Sequence, residues 1–120
     1  MIMKRKSVMQ QAVDFVVKYE KQKRRNPKVL PQGHGYDVES SGLKIEVKGA
    51  STPSKRTPFV RFNQYNFNAL RKENNFRLYI VCNISRKPEL LILNRDEILK
   101  RLKFEYGWEI PLRKKDFENK

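Results

Sequence analysis

The sequence predicts an α/β fold, a mixed β-sheet with helices packed on it, and three observations carry that prediction. Runs of strict apolar–polar alternation at Tyr36-Asp37-Val38-Glu39 and Leu43-Lys44-Ile45-Glu46-Val47-Lys48 mark strands with one buried face. Nearly continuous apolar runs at Leu78-Tyr79-Ile80-Val81-Cys82 and Leu90-Leu91-Ile92-Leu93 mark central strands covered on both faces. Around them lie segments of helical periodicity opened by capping residues, giving the order helix, two strands, strand, helix, two strands, helix.

The first helix begins near Ser7, which has capping-box spacing to Gln10, and runs to about Lys23. Met9, Val13, Val16, Val17 and Glu20 share one stripe of it, so Glu20 closes an apolar face. Asn26-Pro27 and the cluster Pro31-Gln32-Gly33-His34-Gly35 then make a loop. The two alternating strands join through Ser40-Ser41-Gly42. With Ser41-Gly42 as a two-residue turn, Glu39 pairs with Lys44, Val38 with Ile45, Asp37 with Glu46 and Tyr36 with Val47. A register slipped by two would set Asp37 against Lys44, but it moves Gly42 out of the turn where glycine is most useful. Gly49 to Pro58 is a polar, basic loop, followed by a short strand at Phe59-Val60-Arg61-Phe62. Asn63 caps a helix from Gln64 to about Lys72. Ser85-Arg86-Lys87-Pro88 turns between the two apolar strands, and Asn94 with Glu97 opens a last helix through Ile98, Leu99 and Leu102. The segment after Tyr106 carries Trp108, Ile110 and Leu112 before a basic tail, 113–120.

At 120 residues the natural reading is a single domain over 1–120, with its core at about 7–104. Thirteen aromatics and 38% apolar residues can make a real core despite 33% charged content. Apolar runs of a few residues are far short of the ~20 needed to cross a bilayer, and Met1 to Lys6 do not continue into the apolar core of a signal peptide. One Cys and one His exclude a disulfide framework and the usual zinc ligand sets. The expectation is a cytoplasmic, reduced protein with no membrane partner. Its 27 Lys plus Arg against 13 Asp plus Glu, a net charge of +14, point to a polyanionic partner, nucleic acid above all.

The acids are few but focused. No acid occurs from Val47 to Lys72, whereas Asp37, Glu39 and Glu46 fall together just before. Two carboxylates opposed across a hairpin, with Cβ atoms ~5 Å apart, repel unless something compensates. A divalent cation would do so, and hard oxygen ligands suit Mg²⁺, which keeps several waters and needs only one or two protein carboxylates. Lys48 projects from the same strand face two residues after Glu46, where its charge could orient an attacking water or offset charge developing on a phosphate. Glu20 could reach the same place from the helix side.

These residues resemble a known family. Gly35-Tyr36-Asp37-Val38, a gap, then Ile45-Glu46-Val47-Lys48-Gly49 is similar to the core motif of the PD-(D/E)XK, restriction-endonuclease-like nucleases, and in particular to an uncharacterised branch with a GYD…EVKG pattern, found at the C-terminal end of helicase-like and ATPase-like proteins. The branch's Tyr-Glu pair ending its first helix matches Tyr19-Glu20, and its strand and capped helix after the Lys match Phe59 to Leu70, so the likeness spans about 8–94. The proline of the superfamily's label is absent, and Tyr36 stands before Asp37 instead. The resemblance implies a restriction-endonuclease-like sheet flanked by helices and a metal-dependent deoxyribonuclease using Mg²⁺ or Mn²⁺. It implies Asp37 and Glu46 as metal ligands, Lys48 as the residue that orients or activates water, Glu20 as an auxiliary acid and further ligand, and Gln64 as a polar contact on the following helix. Cleavage of a duplex would need two such sites, which a homodimer supplies. A helicase or methyltransferase partner is left open.

Each reading has an ordinary counterpart. Asp37 and Glu46 can be solvated strand acids satisfied by Lys44 and Lys48, and Glu20 can pair with Arg24 one helical turn on. His34, between two glycines, reads as a loop polar group or phosphate contact, while Cys82 reads as core. Tyr65, Phe67 and Trp108 could stack on bases, although such spacings more often mark core. Lys21, Lys23, Arg24, Arg25 and Lys28 follow the first helix, and Lys55, Arg56 and Arg61 flank the acids in sequence. These bases are the expected phosphate contacts, indifferent to sequence because nothing in the chain resembles a base-reading helix. A non-catalytic DNA-binding module of the same fold, or a basic RNA-binding protein, would share this charge.

Overall fold

The computed structural model describes residues 6–31, 33–104 and 107–118. Met1 to Arg5, Gln32 in the loop cluster and the last two residues of the tail, to which sequence expectations also extend, lie outside them. The helix α1 (Val8–Gln22) starts where Ser7 accepts the Gln10 amide through its hydroxyl. Three strands follow, β1 (Pro27–Val29), β2 (Val38–Ser40) and β3 (Leu43–Gly49), then a 3₁₀ turn at Ser54–Arg56 and β4 (Phe59–Arg61). The helix α2 (Gln64–Lys72) is closed at its start by a reciprocal box between Asn63 and Asn66. Then come β5 (Phe76–Cys82), β6 (Glu89–Asn94), α3 (Arg95–Arg101) behind its Asn94–Glu97 box, β7 (Lys103–Phe104), β8 (Trp108–Pro111) and α4 (Lys114–Glu118).

Five strands form a mixed sheet in the order β1-β2-β3-β5-β6, parallel only between β3 and β5. The architecture is the α/β one predicted, and it is compatible with a restriction-endonuclease-like fold. The hairpin has the register favoured from sequence, Val38 opposite Ile45 and Glu39 opposite Lys44, and Ser41 and Gly42 take φ of 48° and 92° as a primed turn requires. One face of the sheet packs Val38, Ile45, Val47, Tyr79 and Val81 against Ala12 and Val16 of α1. The other packs Leu78, Ile80, Leu91 and Leu93 against Leu70 of α2, Ile98 of α3 and Ile110 of β8. Among the described residues no helix is long and apolar enough to cross a membrane.

The core runs past 104, taking in Ile110, Leu112 and Phe117, the last from helix α4 in the segment expected as a basic tail, and three further placements differ from the sequence expectation. Pro27–Val29, expected as loop, adds an edge strand to β2. The strand β4 leaves the main sheet for a second one ordered β4-β8-β7, because the tail returns to pair Val60 with Ile110. And β6 is an edge, so Leu90 and Ile92 stay half-exposed where a central strand was expected.

Candidate active site

The site arises where the hairpin opens. Strands β2 and β3 are laddered only from Leu43 to Ile45, and at Asp37 the backbone departs from the ladder, its amide donating to the Ile45 carbonyl at 2.8 Å. The Asp37 carboxylate then takes the place of a backbone partner by accepting the Val47 amide at 2.8 Å. Asp37 and Glu46 are therefore not the ladder pair expected across a regular hairpin. They nevertheless line one open cleft of about 460 Å³ together with Gly35, Tyr36, Tyr65 and Asn66.

Alternation along β3 turns Glu46 and Lys48 away from α1, toward α2, in register with Leu78 and Ile80 of β5. Glu46 is buried, 6% exposed. Burial pushes its carboxyl up to about 7; the Lys48 ammonium opposes that shift, while the nearby Asp37 carboxylate reinforces it. Lys48 Nζ lies 3.0 Å from Glu46 Oε2 and donates to Asn66 Oδ1 at 3.0 Å. Sequence reasoning missed Asn66, whose amide also donates to the Gly35 carbonyl at 3.0 Å and whose Oδ1 accepts the Asn63 amide. Its signal was the Asn63-x-x-Asn66 box, which reads as a cap and nothing more. At 2% exposure it ties the loop, the start of α2 and Lys48 together.

Glu20 is not brought to this cleft. It lies under the opposite face of the sheet, fully buried, bidentate with the Arg25 guanidinium and accepting from the Tyr79 hydroxyl at 2.6 Å. Burial alone would raise its carboxyl, but hydrogen bonds from Arg25 and Tyr79 and the charge of the Arg25 guanidinium outweigh it and hold the group below its ordinary value. The pairing with Arg25 instead of Arg24 has a backbone cause. Arg24 adopts φ 61°, and this left-handed residue turns the chain back so that the Arg25 amide donates to the Glu20 carbonyl at 3.0 Å.

Of the expected phosphate contacts, Lys21, Lys23, Arg24, Lys28, Lys55 and Arg56 are exposed. Arg25 is committed to Glu20, and Arg61, although exposed, pairs with Glu109 at 3.3 Å. Gln64 is exposed in the first turn of α2, bonded to Asn68. His34 is exposed beside Tyr36. Cys82 is core, its thiol pushed up to about 11 by burial. Phe67 packs edge-on between Phe62 and Trp108, whereas Tyr65 is 66% exposed.

The donor set fits a hard divalent cation. Two carboxylates face one open cleft, and Lys48 offsets only part of the cost of burying Glu46 beside Asp37. Among the described residues no three His, Cys, Asp or Glu side chains converge, so such an ion would rely on these two and on water, as Mg²⁺ commonly does.

The family model described as Protein NO VEIN, C-terminal matches residues 8–93, well over half of the chain, so the chain belongs to that family. No curated protein and no solved structure matches it.

Proposed function

We propose, starting from membership of the Protein NO VEIN C-terminal family, that this chain is a PD-(D/E)XK-type nuclease domain that binds DNA through its basic surface and hydrolyses phosphodiester bonds with Mg²⁺ or Mn²⁺. The observation that carries the reading is the joint placement of Asp37 and Glu46 on one open cleft, with Lys48 ion-paired to Glu46 on the same strand face. Asp37 and Glu46 would hold the metal, which when bound supplies Lewis-acid polarisation of a phosphate. Asp37 is aimed by the Val47 amide, and Lys48 by Asn66, so both are positioned before substrate arrives. Lys48 places a fixed positive charge beside the acids, where it stabilises negative charge developing on the phosphate and orients an attacking water. Two copies would be needed to cut both strands of a duplex.

The second reading is a binding module of the same fold without chemistry, favoured by Lys48 being held between Glu46 and Asn66. Incubating supercoiled, linear, branched and single-stranded DNA with Mg²⁺ or Mn²⁺, wild type against Lys48→Ala, separates the two. A nuclease loses roughly 100-fold or more in nicking rate on removal of that charge. No metal-dependent cleavage by the wild type, or equal cleavage by both proteins, would leave only the binding module.

A further inference from the structure

Beside the acid cleft lies a second cavity of about 260 Å³ that shares Gly33, Gly35, Tyr36 and Tyr65 with it. Three rings, His34, Tyr36 and Tyr65, line it together with Asn68, Ala69 and Lys72 of α2 and the carboxylate of Glu73 just beyond that helix. Tyr65 is two-thirds exposed, so core packing does not explain it. Nor is the wall loosely assembled. Gly35 has φ +79°, and a Cβ added there would run into the Tyr65 carbonyl, so the loop bearing His34 and Tyr36 lies directly on the helix bearing Tyr65. The Asn66 amide fastens the same loop through the Gly35 carbonyl while its oxygen holds Lys48. Aromatic wall and acid pair thus share one support.

We infer that this cavity is a subsite for an unpaired nucleobase next to the phosphate being cut, with Tyr65 as its stacking platform. The inference rests on the nuclease reading for its position and extends it to a substrate class: single strands, flaps or frayed ends, in which a base can leave the duplex. A flat π-face beside a phosphate-binding cleft in a chain of charge +14 suits a base better than a peptide side chain, because base–aromatic stacking accepts any of the bases. Lys72, which lines the cavity beside Glu73, supplies a cation for the adjoining phosphate.

Affinity measured in chelator, without metal, reads this subsite independently of cleavage. Wild type, Tyr65→Ala and Tyr65→Phe are titrated onto a short oligothymidylate, an oligouridylate of equal length and a duplex of the same length. Truncating the platform should weaken single-strand binding by about 5- to 150-fold and leave duplex binding within about twofold, and Tyr65→Phe should bind like wild type. Equal affinity of wild type and Tyr65→Ala for single strands, or an equal loss on duplex, overturns the subsite. A loss confined to oligouridylate supports the subsite and overturns DNA as its ligand. If these differences hold while the wild type cuts nothing, the nuclease reading fails and the subsite stands.

Discussion

Replacing Glu46 by glutamine keeps the side-chain volume and a hydrogen-bonding head but removes one negative charge from a site that holds two. The wild-type carboxyl, pushed up to about 7 by burial against an ordinary 4.5, ionises at a penalty of roughly 3 kcal/mol, taking about 1.4 kcal/mol per unit. The attraction of Lys48 is already contained in that figure. The sign follows from the direction: a raised carboxyl contributes stability that is complete below about pH 4.5 and is lost as pH rises toward 7. Glutamine resembles the protonated acid at every pH, so metal-free Glu46→Gln should exceed wild type by about 2 kcal/mol at pH 8, after some loss from imperfect amide pairing. In a domain of this size that is roughly 6–10 °C in Tm. At pH 4.5 the ionisation penalty falls to about 0.4 kcal/mol, below the roughly 1 kcal/mol lost in amide pairing, so there the variant should be slightly the less stable of the two. Thermal scans from pH 4.5 to 8 read it directly, and repeating them with Mn²⁺ should raise the wild-type Tm and leave the variant's unchanged. A variant no more stable than wild type at pH 8 would refute the argument that the acids repel in a partly desolvated site. Equal stabilisation of both proteins by Mn²⁺ would refute the metal site.

Three further outcomes follow from the same geometry. Gly35→Ala, forced into a left-handed backbone and against the Tyr65 carbonyl, should lose roughly 2–4 kcal/mol in denaturant unfolding. Glu20→Ala leaves Arg25 and the Tyr79 hydroxyl without their partner and should lose about 3 kcal/mol, yet wild-type and variant proteins should show the same Mn²⁺ stabilisation relative to their own metal-free forms. Because the Glu20 carboxyl is held low, its contribution is complete above about pH 4.5 and disappears as pH falls through the lowered value, so acid unfolding curves of wild type and variant should converge at low pH. If the six exposed bases at Lys21, Lys23, Arg24, Lys28, Lys55 and Arg56 contact phosphate, the logarithm of duplex affinity should fall against that of salt with a slope of about −5, and neutralising Lys55 and Arg56 together should bring it to about −3.5.

What could be read in advance was what depends on local chemistry. Ser41-Gly42 specifies a primed turn, that turn sets Val38 opposite Ile45, and period-two alternation then places Glu46 and Lys48 on the face away from α1. The Asn63 cap and the Asn94–Glu97 box were equally visible. What could not be read depends on single backbone departures that carry no compositional mark. A non-glycine left-handed residue at Arg24 decides which arginine meets Glu20, and so removes both from the set of groups able to touch substrate. The splay at Asp37 converts a repulsive ladder pair into two acids on a cleft, with an amide of β3 as the spare donor that makes it possible.

The splay also bears on why so basic a chain keeps acids here at all. In a regular hairpin, Asp37 and Glu46 would repel at short range and a lysine two residues along could satisfy only one of them. Here Asp37 is satisfied by a neutral amide, which leaves Lys48 to Glu46 and leaves the pair one positive charge short. Asn66, a neutral residue bonding loop, helix start and lysine at once, supports the arrangement without supplying that charge. If the proposed metal site is right, a divalent cation would supply the charge that the Lys48 ammonium, paired with Glu46, and the neutral Val47 amide, donating to Asp37, leave missing. On the proposed nuclease reading, the surrounding excess of lysine and arginine would act at longer range, drawing phosphate toward a cleft whose two acids would otherwise repel it.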